Sequence, residues 1–316
     1  MRALIVTNMY PTADRPELGS FVRDQVAALR RIAGVEVETF AFAPGGAGSY
    51  LNAARELRRR FTGERFDVVH AHFGLTAWPA LAARGDSRVV TLHGTDLAHP
   101  RSRPITLAAL PLLDLTAAVS EELARRVPSW AARGEVAVLP CGVDLARFRP
   151  LPRAQARAAL GLPPDRPYLL FPANPARPEK RYDRALELAG GVRLLTLGGV
   201  APDRVPMFIN AANAVLVPSE REGFGLAVLE ALACQVPVLA TPCGIAPRVL
   251  DGVAGAFCEA FEPEAWRAAL EPLLAAEDPR VDGRAHAEPY SSDQMAERVL
   301  ASWHALAGRG GRSDAP

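Results

Sequence analysis

Short apolar runs alternate along the chain with stretches whose apolar positions recur every three or four residues. Residues 2–7, 66–70, 89–92, 114–119 and 136–139 read as strands in the first half, and 168–172, 192–197, 214–217, 238–240 and 255–258 in the second. Most are continuously apolar, as strands covered on both faces of a parallel sheet are. Residues 35–42 alternate instead, with Val35, Val37, Thr39 and Ala41 set against Glu36, Glu38, Phe40 and Phe42. Helical spacing appears over 21–32 (Phe21, Val22, Val26, Leu29, Ile32), 50–61, 182–189, 205–211, 263–276 and 293–306. A further helix opens at Ser120, with Glu121 and Glu122 in its first turn. Strand and helix in alternation predict an α/β protein with parallel sheets.

At 316 residues the chain accommodates two domains of ordinary size. Residues 149–167 (RPLPRAQARAALGLPPDRP) are rich in proline and read as the hinge between them. This predicts an N-terminal domain over 1–150 and a second over 151–289. A helix at 290–307 and a small polar tail at 308–316, expected to be disordered, follow.

The densest chemistry lies at residues 214–237, AVLVPSEREGFGLAVLEALACQVP. An apolar strand breaks at Pro218-Ser219 and a charged loop follows. Gly223 and Gly225 flank Phe224, and a helix starts at Leu226. A glycine loop opening a helix points free N–H groups and a positive dipole end at the space above the sheet, where an anion can sit. Glu222 stands in the loop and Glu230 about two turns into the helix, seven residues apart. Glycine loops precede helices in every α/β protein, so the glycines alone decide nothing. The first βα junction, Gly19-Ser20, reads equally as an anion loop or as an ordinary turn capped by Ser20. His70, His72 and His93 fall at or just beyond strand ends, where ligand groups gather in parallel sheets. They show neither helical pairing nor a cysteine or carboxylate partner, so no metal site is expected from them.

Composition and charge narrow the class. With 49% hydrophobic and 22% charged residues the chain is globular, and a net charge of +1 argues against a nucleic-acid surface. Cys141, Cys234, Cys243 and Cys258 form no CxxC pair and read as reduced thiols. The apolar run after Met1-Arg2 is too short for a signal peptide, and no stretch approaches a membrane span. A cytoplasmic protein is expected. The helix at 50–61 carries Arg55, Arg58, Arg59 and Arg60, which read as a solvated face or as a peripheral contact with anionic membrane. The glycines after residues 35–42 lack the GxGxxG spacing of a dinucleotide site.

The run Glu222-Gly-Phe-Gly-Leu-Ala-Val-Leu-Glu230, with Pro237-Val238 beyond it, resembles the Glu-x7-Glu signature of retaining GT-B glycosyltransferases of family 4. His93-Gly94-Thr95-Asp96 and Pro140-Cys141-Gly142-Val143-Asp144 resemble that family's acceptor-side and domain-closing segments. The resemblance implies two doubly wound, Rossmann-like domains facing across a cleft, with the last helix crossing back to the first. Only residues 200–213 precede the signature strand, so the second domain looks trimmed. It implies a nucleotide-sugar donor and a hydroxyl acceptor, with no cofactor and no metal, since no Asp-x-Asp occurs in a suitable loop. By the same resemblance Glu222 faces the transferred sugar, Glu230 holds the ribose, and Arg177 and Lys180 clamp the diphosphate. His93 contacts the sugar. Gly19, Ser20, Gly198, Gly223, Phe224, Gly225, Leu226 and Gly244 line the donor. Asp96 is equally explained by a turn. The first-domain motifs look similar to transferases of cell-surface polysaccharides, teichuronic-acid type among them, which points to a lipid-linked or polysaccharide acceptor. An epimerase or phosphorylase of the same fold, and a non-catalytic sugar-nucleotide-binding subunit, are the alternatives.

Overall fold

The computed structural model describes residues 1–310, and the chain divides into two compact α/β units. The first comprises Met1–Thr12, Leu18–Gly142 and the segment from Ser292 onward; the second comprises Ala13–Glu17 and Val143–Ser291.

The first unit holds six parallel strands: β1 (Arg2–Thr7), β2 (Glu36–Ala41), β3 (Phe66–His72), β4 (Gly85–Leu92), β5 (Leu115–Ala118) and β6 (Ala137–Val138), in the order β2-β1-β3-β4-β5-β6. The order reverses between β1 and β3, so the carboxyl ends of those strands flank a crevice of the kind where ligands bind in open α/β sheets. Thr7 and His72 pair in register there. The helices Ser20–Arg30 and Ser292–Gly310 bury Val22, Val26, Leu29, Met295, Val299 and Trp303 against Ala3, Ile5 and Val68 of the sheet. Trp303 is wholly buried. Burying so large an aromatic contributes more than an ordinary core residue does.

The second unit holds β7 (Tyr168–Phe171), β8 (Arg193–Thr196), β9 (Ala214–Val217), β10 (Val238–Ala240) and β11 (Phe257–Cys258), all parallel, in the order β11-β10-β9-β7-β8. Its switch point lies between β7 and β9. The helices Tyr182–Ala189 and Pro263–Ala275 pack Ala185, Leu188, Trp266 and Leu270 against Leu169, Phe171, Leu216 and Leu239. Residues 200–213 form a short 3-10 turn, Pro202–Arg204, and the helix Val205–Ala211.

Several elements differ from the expectation. The chain leaves the first unit at Gly142–Val143, not at 150, because Val143 already donates to the Tyr290 carbonyl at 2.8 Å and bridges to Ser291. Arg284 fastens the next stretch by donating to the Leu145 and Phe148 carbonyls. The expected hinge at 149–167 is an integral part of the second unit. Its helix Arg153–Ala159 buries Arg157, which donates to the Ala211 carbonyl and the Asn213 side chain. β3 runs on through His72, which puts His70 inside the strand instead of at its end. The basic helix starts early, as Ala47–Arg60. The last helix runs through 308–310, which were expected in the tail; 311–316 lie outside the described residues. No described helix is long and apolar enough to cross a membrane.

Candidate functional site

In the second unit the loops after β7 and β9 meet at the switch point. Glu222 is nearly buried, its side chain 8% exposed, and it is fully engaged. Its Oε2 accepts from Lys180 Nζ at 2.5 Å, and its Oε1 accepts from Ser219 Oγ at 2.8 Å. Thr241 Oγ1 in turn donates to the Ser219 carbonyl at 2.5 Å. The Glu220 N–H donates to the Glu179 carbonyl at 2.9 Å, tying one loop to the other. Arg181 pairs with Glu220 and Asp183, and Arg184 donates to the Pro218 carbonyl. Arg177 stands apart from the carboxylate: it is half-exposed and pairs with Glu179. Of the two cations expected to act together, the fold brings only Lys180 to Glu222.

Two glycines shape this loop. Gly225 has φ +95 and caps the helix Leu226–Ala233, so the chain turns from loop to helix in a left-handed conformation. Gly244 has φ +61, and a Cβ there would lie 2.4 Å from the Phe224 carbonyl oxygen and 2.8 Å from Glu222 Cβ. The backbones are this close because the Ile245 N–H donates to the Phe224 carbonyl at 2.7 Å. Phe224 is buried with its ring 6.1 Å from that of Tyr290. Gly223 completes the loop and Leu226 opens the helix, half-buried. Glu230 is the fifth residue of that helix, little more than one turn in, not two. Gly198 follows β8, and a Cβ there would lie 3.5 Å from Asn174 Cγ in the loop after β7, an ordinary contact.

In the first unit the corresponding ends are neutral. His72 closes β3 and His93 follows β4; His72 Nδ1 lies 3.1 Å from His93 Nε2. Gln25 Nε2 lies 3.2 Å from His72 Nε2. His70 stacks on His72 with centroids 4.6 Å apart, and Trp303 Nε1 donates to its Nδ1 at 3.3 Å. Burial lowers all three histidines, that of His72 to about 3, so the cluster is uncharged at neutral pH. Phe21 packs on the His93 ring at 4.8 Å. Asp96 is wholly buried and accepts the N–H groups of Gly74, His93 and Gly94 at 2.5, 2.6 and 2.9 Å. Burial raises its pKa while those bonds oppose the rise. Asp96 thus pins the His93 loop to the turn after β3.

Gly19, not Ser20, caps the helix Ser20–Arg30. Its φ is +65, and a Cβ would lie 2.1 Å from the Met9 carbonyl oxygen, so only glycine fits. Cys141 is pushed up to about 12 by burial, an inert thiol. Asp144 accepts from the N–H groups of Ala146 and Arg147, a turn residue. Among the described residues no three His, Cys, Asp or Glu side chains form a metal-ligand group. Sequence reasoning missed Ser219, Thr241, Gln25 and Trp303. Ser219 stands three residues before Glu222, a signal that was available; the others approach only through the fold.

Residues 174–289 match the model for glycosyl transferases group 1, and residues 5–147 that for glycosyltransferase family 4. A D-inositol 3-phosphate glycosyltransferase of Segniliparus rotundus is 37% identical over 218 residues, 56% of this chain and 48% of the relative. That of Actinosynnema mirum is 31% identical over 325 residues, 82% of this chain and 77% of the relative. The chain belongs to glycosyltransferase family 4. It spans about half to two thirds of the length of several such relatives. Two solved structures share the fold. Sucrose-phosphate synthase of Thermosynechococcus elongatus has a TM-score of 0.76 at 19% identity, covering 98% of this chain and 99% of that one. HepE of Anabaena in complex with UDP-glucose has a TM-score of 0.70 at 14% identity, covering 96% and 99%. The two parallel-sheet α/β units match the GT-B fold of these structures.

Proposed function

We propose that the chain transfers a sugar from a nucleotide-sugar donor to a hydroxyl acceptor, with retention at the anomeric carbon and without a metal ion. The observation that carries this is the Lys180–Glu222 pair at the switch point of the second sheet, beside a helix N-terminus opened by Gly225. As the glycosidic bond breaks, the diphosphate gains negative charge and the sugar becomes oxocarbenium-like. Lys180 Nζ and the helix N–H groups meet the first demand as preorganised positive charge. Arg177 supplies a second cation by exchanging its surface partner Glu179 for phosphate. Glu222 meets the second demand by facing the sugar. Glu230 holds the ribose hydroxyls, and the Gly198 and Gly244 backbone gives N–H groups to the donor, the missing Gly244 side chain leaving room for the Phe224 carbonyl and Glu222. In the first unit, the Gly19-Ser20 backbone is the candidate to meet an anionic phosphate group and His93 the candidate to position a sugar.

HepE, with its bound UDP-glucose, supports a uridine nucleotide donor as the first to try. The relatives named for D-inositol 3-phosphate support a phosphorylated polyol as acceptor. A lipid-linked or polysaccharide precursor at the cytoplasmic membrane face, reached through the basic helix Ala47–Arg60, is the second reading. The test is turnover of nucleotide sugars with either acceptor in the presence of a chelator, with the product anomer read by NMR. Retained configuration and unchanged rate support the proposal. An inverted product refutes retention, and activity restored only by magnesium or manganese refutes metal independence. Product from donor alone, without acceptor, would revive the epimerase, and tight donor binding with no turnover the non-catalytic subunit.

A further inference from the structure

The three imidazoles of the first unit are wired in a definite sense. An indole N–H only donates. His70 Nδ1 therefore accepts from Trp303, and the neutral ring carries its proton on Nε2, facing Thr91 Oγ1 at 2.8 Å. His70 has no nitrogen left to use. An amide nitrogen also only donates. With Gln25 Nε2 against His72 Nε2, His72 accepts there and carries its proton on Nδ1. That proton points at His93 Nε2, 3.1 Å away. His93 then accepts on Nε2 and keeps its own proton on Nδ1. Were the Gln25 amide turned the other way, the Gln25–His72 and His72–His93 bonds would both reverse and His93 would present an acceptor.

We propose that His72, held by Gln25, is a positioning residue that fixes His93 as the Nδ1–H tautomer, so that the half-buried ring at the end of β4 offers a hydrogen-bond donor to an oxygen of the bound sugar. The donor role rests on the reading that His93 touches the transferred sugar; the tautomer does not. Three further features favour a fixed ring. Phe21 packs against the His93 ring in a tilted arrangement. Asp96 accepts the His93 backbone N–H and so holds the loop. Burial keeps both rings neutral, so no second proton blurs the tautomer. The chain of bonds joins the helix Ser20–Arg30 to the ends of β3 and β4, across the point where the strand order reverses.

The test is nitrogen NMR of nucleotide-free protein labelled in its imidazole rings, for wild type, Gln25→Leu, His72→Leu and His72→Asn. The expected wild-type pattern is a protonated Nδ1 and a bare Nε2 on His93. Gln25→Leu and His72→Leu should let the His93 tautomers mix, while His72→Asn, whose amide nitrogen can stand where Nδ1 stood, should restore the pattern. Turnover should follow: kcat down about ten- to a hundredfold in His72→Leu, donor KM within about twofold, and most of the loss recovered in His72→Asn. A wild-type His93 protonated on Nε2 overturns the proposal, as does a tautomer indifferent to both Leu variants. If the tautomers shift as stated and turnover does not, the wiring stands and the contact between His93 and the sugar fails.

Discussion

The two sheets reverse their strand order in the same way, yet the groups at the two switch points are opposites. Beyond β7 and β9 stands a charged pair, Lys180 and Glu222, still partly open to water. Beyond β3 and β4 stands a row of histidines that burial has made neutral. The first arrangement suits a ligand that brings charge. The second suits one that must be oriented by hydrogen bonds without being ionised. A leaving diphosphate gathers charge, whereas a sugar presents hydroxyls.

The comparison breaks most visibly at Glu222. Glu222→Gln or Lys180→Ala should lower kcat about 100- to 1,000-fold, the size of the loss when one preorganised transition-state-stabilising group is removed elsewhere. Arg177→Ala, at an exposed pair, should leave stability within about 0.5 kcal/mol and cost less turnover than Lys180→Ala; the reverse ranking would move the clamp to Arg177. On the histidine side the large effect is on folding. Trp303→Ala removes a wholly buried ring and the donor to His70, and should cost about 3–5 kcal/mol by denaturant unfolding.

A smaller effect sharpens the neutral side alone. His70, His72 and His93 take up protons in the unfolded chain near pH 6.5, while the folded state holds them neutral far lower. Unfolded protein thus binds more protons as pH falls below that value, and stability must drop from pH 7 toward pH 5, by up to about 1.4 kcal/mol per pH unit for each histidine. His70→Asn should flatten the slope of the unfolding free energy by one proton; an unchanged slope would mean the ring is not held neutral.

Much of this was legible in the chain. Continuous apolar runs located the strands, and β1, β9 and β10 fall where the pattern put them. The charge, glycine and spacing of residues 218–230 announced the loop that bears Glu222. What stayed hidden depends on strand order. Gln25 and His72 are 47 residues apart, and Trp303 and His70 are 233 apart. Nothing local marks them as partners until β1, β3 and β4 stand side by side and the last helix packs over them. The hinge was misplaced for a related reason. Proline and arginine near 149–167 resemble a linker, but Arg157 is spent on buried carbonyls of its own unit. Length of side chain, not exposure, is what that arginine contributes.

The central claim is that the charged switch point receives a nucleotide sugar. The most direct measurement is the thermal midpoint of the protein with UDP, GDP, ADP and their sugars, repeated with Lys180→Ala and Glu230→Ala. A ligand bound only by the folded state raises the midpoint by mass action. One nucleotide family should raise it for wild type, with the shift lost or much reduced in both variants. No shift with any nucleotide, or a shift that both variants retain in full, would contradict the account.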